Sequence, residues 1–119
     1  MQNTKQTVVE DITRWETVVN AKQSSGITGT VTITVNKALK IARIYFNITS
    51  SKTLSGGQAI TVYTNSTYGT LGGFTSIPLR KQGLIMGINN AGQLIIDNLF
   101  DSTSQSTGTG SYSITYAYK

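Results

Sequence analysis

Histidine and cysteine are both absent from the 119 residues. That removes the commonest general base, every thiolate nucleophile and the usual ligands of transition-metal sites. What remains for catalysis is the set of carboxylates Glu10, Asp11, Glu16, Asp97 and Asp101. Paired carboxylates can run glycoside hydrolysis when they flank the scissile bond. Three of these acids lie in the lead-in and first strand, and Asp97 and Asp101 stand four apart on a strand and its following turn, a poor spacing for a dyad. Gly56-Gly57 and Gly72-Gly73 lack the strand-to-helix setting that a phosphate-binding loop needs. The residues therefore predict neither an enzyme nor a cofactor or metal site.

Binding chemistry is better supplied. Saccharides are held by planar aromatic faces, neutral polar groups and an occasional arginine or aspartate. Trp15, Tyr63, Tyr68, Asn65 and Arg80 provide those types, several of them in an irregular, turn-rich region where binding residues tend to lie. Arg43 and Tyr45 stand two apart on the outer face of a strand, which suits a partner surface or an ordinary cross-strand layer. A lone tryptophan in a small β domain is more often a core residue, so Trp15 has two readings, core or platform.

Charge adds a direction. No carboxylate occurs between residues 17 and 96, a stretch that carries Lys22, Lys37, Lys40, Arg43, Lys52, Arg80 and Lys81. Such a bias creates a positive field that favours anionic partners, although solvated lysines on a sheet surface have the same composition. Nucleic acid is not the expected partner. Tyr45, Tyr63 and Phe74 among Arg43 and Lys40 would suit stacking on an OB-like barrel, but aromatics are only 8% and the basic residues form no run. The sequons at Asn47 and Asn65 are expected by chance in so threonine-rich a chain.

The elements that must position these residues are strands. Ser, Thr, Gly, Asn and Gln make up about half of the chain and only 13% is charged, which suits short strands with polar outer faces. Residues 1–12 are polar and aperiodic and read as a flexible lead-in, with a single β domain over 13–119. Residues 7–19 (TVVEDITRWETVV) fit a helix face loosely, but a first strand over 13–19 fits at least as well. Residues 30–35 (TVTITV) alternate valine and isoleucine against threonine, the pattern of a half-buried strand. After a turn at Asn36-Lys37, residues 39–49 put Ala42, Ile44, Phe46 and Ile48 on one face.

Residues 58–64 read as a further strand with Ile60 and Val62 inward, and Pro78 marks residues 74–81 as an edge strand or extended loop. Residues 83–100 form a hairpin around Asn89-Asn90-Ala91-Gly92, and its second strand is apolar on both faces. Residues 101–110 read as an exposed polar loop and 111–118 as a tyrosine-rich final strand. About seven strands without a convincing helix predict an all-β fold, a small antiparallel β-sandwich or barrel. No apolar run approaches the ~20 residues of a membrane span. The first residues lack a signal-peptide pattern, so membrane insertion and general secretion are not expected.

The second half carries a resemblance. FTSIPLRK leads into a hairpin of the form G-apolar-x-apolar-G-I-N-x-x-G-Q-L-x-I, then a Ser/Thr/Gly loop and a final YSITYAY strand, with KIARIYFNIT before them. This arrangement resembles the head domains of receptor-binding and baseplate proteins of tailed phages that infect Gram-positive bacteria. The resemblance implies a virion protein of the phage tail, in contact with other tail proteins. It further implies a homotrimer that attaches to an anionic cell-wall saccharide of the host. A trimer with an apolar interface would account for the two apolar faces of residues 94–100. Heads of that kind follow longer stem regions than the short lead-in seen here and keep their binding residues in no fixed motif. The expected ligand-binding set therefore comes from residue type and placement: Trp15, Arg43, Tyr45, Tyr63, Tyr68 and Arg80. The other expectation is a structural virion protein, a tail connector or capsid decoration, without a ligand.

Overall fold

The alternation seen in the sequence becomes two antiparallel sheets packed face to face. The computed structural model describes residues 13–22, 28–79, 81–100 and 103–119. The expected lead-in and the helix candidate up to residue 12 lie outside the described residues, as do Arg80 and Asp101. The first sheet has the order β1-β2-β3-β10, from β1 (Glu16–Lys22), β2 (Thr28–Asn36), β3 (Ile41–Ser50) and β10 (Gly110–Ala117). The second has the order β5-β8-β7-β6, from β5 (Ala59–Thr64), β6 (Thr75–Leu79), β7 (Lys81–Ile88) and β8 (Gln93–Asn98). A two-stranded ribbon of β4 (Thr53–Leu54) and β9 (Gln105–Ser106) joins the two crossing connections.

Burial follows the pleat. Val31, Ile33 and Val35 of β2, Ala42, Ile44, Phe46 and Ile48 of β3, and Ile114 and Tyr116 of β10 point inward from the first sheet. Leu84, Met86 and Ile88 of β7 with Leu94 and Ile96 of β8 meet them from the second. Burying each large aliphatic chain contributes about 1.5–3 kcal/mol, enough for a domain of this size to hold without cross-links. The first strand runs Glu16–Lys22, later than the expected 13–19, and a bulge between Thr17 and Val19 shifts its register against β2. Pro78 does lie on an edge strand: β6 pairs only with β7, and the proline sits opposite Ile85 beside a bulge.

The connection after β8 is more ordered than the exposed polar loop expected there. The polar stretch after β8 contains β9 and the buried Thr107, whose N–H donates to the Lys52 carbonyl at 2.8 Å. Its hydroxyl accepts from the Lys52 N–H at 3.0 Å. Asn98, also fully buried, donates from Nδ2 to the carbonyls of Leu54, Ser55 and Thr103 at 3.1, 3.1 and 2.9 Å. One asparagine thus satisfies backbone acceptors from both crossing connections, which an exposed loop would have left to water.

Candidate functional site

Directly opposed residues of an antiparallel pair share a sheet face, so the register of β2, β3 and β10 builds the outer surface of the first sheet in rows. Thr34, Arg43 and Thr115 form one row. Thr32, Tyr45 and Ser113 form the next, and Thr30, Asn47 and Ser111 the third. At the spacings of a pleated sheet this is a patch of roughly 10 by 14 Å. Its neutral residues are hydroxyl and amide groups, able both to donate and to accept. The Ser111 hydroxyl donates to Asn47 Oδ1 at 3.0 Å, so part of the surface is already ordered.

Arg43 is the charged centre. Its Nε donates to Thr115 Oγ1 at 3.3 Å, and its guanidinium carbon lies 5.2 Å from the centroid of the Trp15 ring. These two contacts hold the planar group from its side and its face. No hydrogen bond or ion pair with a described residue engages its terminal nitrogens. A guanidinium so held presents a fork that matches a carboxylate or phosphate. Trp15 is 42% exposed and Tyr45 46% exposed, so both keep ring surface open to a ligand. Trp15 is therefore not a core residue.

The electrostatics favour an anion or a neutral polar ligand. The carboxylate of Glu16 is engaged by Lys37 at 3.2 Å, and that hydrogen-bonded contact raises the Lys37 pKa. Asp97 projects from the other sheet, and these two are the carboxylate side chains among the described residues. Next to Trp15, an open cleft of about 310 Å³ is lined by Arg14, Glu16, Lys37 and Ala38. Lys40, at the end of the β2–β3 turn, extends the basic rim, with its ammonium 5.2 Å from the Tyr118 ring.

Of the expected ligand set, the structure brings Trp15, Arg43 and Tyr45 together and separates the rest. Tyr63 is half-buried against the core, and its hydroxyl accepts from Asn65 Nδ2 at 3.1 Å. Tyr68 stacks edge-on against Tyr118 at 5.2 Å, and its carbonyl accepts from the Tyr116 hydroxyl at 2.6 Å. Both tyrosines brace the end of the sandwich and do not face the patch. Asn65 caps the short turn at Ser66–Tyr68 by accepting from the Thr67 N–H at 3.1 Å. The position of Arg80 lies outside the described residues. Nor does the fold assemble the stacking platform considered for nucleic acid: Tyr45 is on the outer face of the first sheet, Phe74 lies over the second, and Tyr63 packs inward.

The threonine and serine rows were missed as site residues. Their alternation was legible in TVTITV and in SYSITY, but each was read only as the solvent face of a strand. Comparison of the chain with protein-family models, with curated proteins and with solved structures returns no match. The functional reading therefore rests on the residues of this chain.

Proposed function

We propose that the chain is a saccharide-binding β module without catalytic activity, the head domain of a phage tail protein that attaches to an anionic cell-wall polymer of its host. The observation that carries the binding part is the convergence of Trp15, Arg43 and Tyr45 on one sheet face whose rows, among the described residues, carry hydroxyl and amide groups and no carboxylate. Aromatic faces pack against sugar rings, the Thr, Ser and Asn groups exchange hydrogen bonds with sugar hydroxyls, and the Arg43 fork takes the anionic substituent. The assignment to a phage tail is supported by the resemblance of the second half of the sequence.

The test is adsorption of the labelled protein to Gram-positive cells and to their purified cell-wall polysaccharide. Saturable binding that Arg43→Ala and Trp15→Ala each weaken at least tenfold supports the reading. Binding that neither substitution changes, or no binding to any panel member, refutes it. The second reading, a tail connector or capsid-decoration protein, is favoured by the exposed Phe74 and Leu99 beside the second sheet, which would suit contact with another virion protein, and predicts no adsorption at all.

A further inference from the structure

The β2–β3 turn, the loop before β6 and the end of β10 are tied together at one end of the sandwich. The Tyr118 N–H donates to the Lys40 carbonyl at 3.0 Å, the Leu71 N–H to the Ala117 carbonyl at 2.9 Å and the Lys119 N–H to the Gly69 carbonyl at 3.3 Å. From this end two aliphatic side chains stand into solvent, Leu39 48% and Leu71 67% exposed. Both are held on ordered backbone. The buried Asn36 accepts from the Leu39 N–H at 3.0 Å, in a turn where Lys40 takes a φ of +55°, a left-handed conformation uncommon outside glycine. The buried Thr70 hydroxyl reaches the carbonyls of Gly72 and Gly73 at 3.2 and 2.8 Å and fixes the loop beyond Leu71. Elements fixed in advance lose little freedom when something binds them.

Cations flank both leucines. Residues 37–40 read Lys-Ala-Leu-Lys and are all exposed, and the exposed Lys119 follows the strand end to which Leu71 is bonded. The Lys40 ammonium lies 5.2 Å from the Tyr118 ring centroid and 3.4 Å from the Lys119 carbonyl, so two of these cations are neighbours. Among the described residues, the carboxylate side chain near this end is Glu16, which Lys37 engages. The hairpin tip at Asn90 abuts Gly69, so Asp97 lies towards the far end of β8.

A sugar ring finds no flat face on a leucine. A protein interface gathers its apolar contacts into a core from which charge is depleted. Separate leucines set among lysines suit a partner that offers hydrocarbon and anionic groups side by side, as the headgroup layer of an anionic membrane does. We infer that this end of the sandwich docks on an anionic lipid surface, with Leu39 and Leu71 entering the headgroup layer and Lys40 and Lys119 meeting its charges. Such a surface contact needs no membrane-spanning segment, and it does not rest on the saccharide reading.

Co-sedimentation of the full chain with lipid vesicles tests the contact. Vesicles of phosphatidylglycerol and phosphatidylcholine in equal parts should bind the native chain, with an affinity that falls as salt rises. Vesicles of phosphatidylcholine alone should bind it about tenfold more weakly or less. Leu39→Ser combined with Leu71→Ser should weaken binding to the mixed vesicles about tenfold, with unchanged far-ultraviolet circular dichroism. Should that double variant fail to fold, Leu71→Ser alone, at the more exposed position, should still weaken binding about threefold. Lys40→Gln and Lys119→Gln should each weaken it about fivefold. Failure of the native chain to bind the mixed vesicles overturns the inference, as does equal binding to phosphatidylcholine alone. Folded leucine variants that bind like the native chain also overturn it, because charge alone would then draw this end to any polyanion.

Discussion

The guanidinium of Arg43 lies 5.2 Å from the ring centroid of Trp15 while its Nε donates to Thr115. Because Trp15 is the sole tryptophan, its fluorescence reports this contact directly. Arg43→Ala is expected to shift the emission and to change stability by no more than about 1 kcal/mol, the scale of an exposed cation–π pair. Arg43→Lys should keep the charge yet lose the fork, and so recover only part of any lost saccharide binding. Emission spectra and urea midpoints of the two variants check both statements. A large fall in stability on Arg43→Ala would make the residue structural.

At the end of the sandwich, the Tyr116 hydroxyl donates to the Tyr68 carbonyl at 2.6 Å. Tyr116→Phe leaves that carbonyl unsatisfied and should cost about 1–2 kcal/mol in urea unfolding at neutral pH.

The same tyrosine gives a signature in alkali. Burial, followed by the nearby Tyr63 and Tyr68, pushes the Tyr116 pKa above its usual value. Desolvation and Tyr68 also raise Tyr118, against the opposing charge of Lys37. In the unfolded chain a tyrosine ionises near 10. The folded state holds Tyr116 neutral beyond that point, so the stability this provides is complete below about pH 10 and is lost as the pH climbs towards the folded value. Urea midpoints at about pH 8 and pH 11 should therefore fall further in the native chain than in Tyr116→Phe.

Asn98 is the buried tie between the crossing connections, with Nδ2 directed at three carbonyls and Oδ1 accepting from the Phe100 N–H at 3.2 Å. Asn98→Asp is nearly isosteric but sets a carboxylate against those carbonyls. It should destabilise by about 3 kcal/mol or more at pH 7. Such a carboxyl is neutral more readily in the folded chain than in the unfolded one, so the deficit should shrink as the pH falls below about 5. Thermal melts of both proteins from pH 7 down to about pH 4 measure it. A deficit that does not depend on pH would mean the carboxylate finds water.

The loop before β6 interlocks with the β7–β8 hairpin tip through backbone alone. A side chain at Gly69 would run into the Asn90 carbonyl, and one at Gly92, which has a φ of +77°, into the Asn65 carbonyl. Backbone cannot swing aside as a side-chain end can. Gly69→Ala is expected to cost about 2 kcal/mol or more, whereas Gly72→Ala, with open space around it, should stay within about 0.5 kcal/mol. Thermal melts of the two variants side by side make the comparison.

The all-β class, the inward faces of β2 and β3, and the hairpin turn at 89–92 were legible in the sequence, because a two-residue alternation and turn-forming Asn and Gly are local signals, whereas β8 reads as apolar on both faces and only the packing decided that Leu94 and Ile96 point inward. The absence of histidine and cysteine needed no structure either. Which strands would pair was not legible. Thr115 and Ser113 reach Arg43 and Tyr45 only because β10, some seventy residues later, closes against β3. That pairing follows from the whole core and not from either strand. For the same reason residue type could not sort the aromatics. Trp15, Tyr63 and Tyr68 all suit a sugar platform by chemistry, but only the tertiary structure set Trp15 over Arg43 and turned the two tyrosines to brace the core.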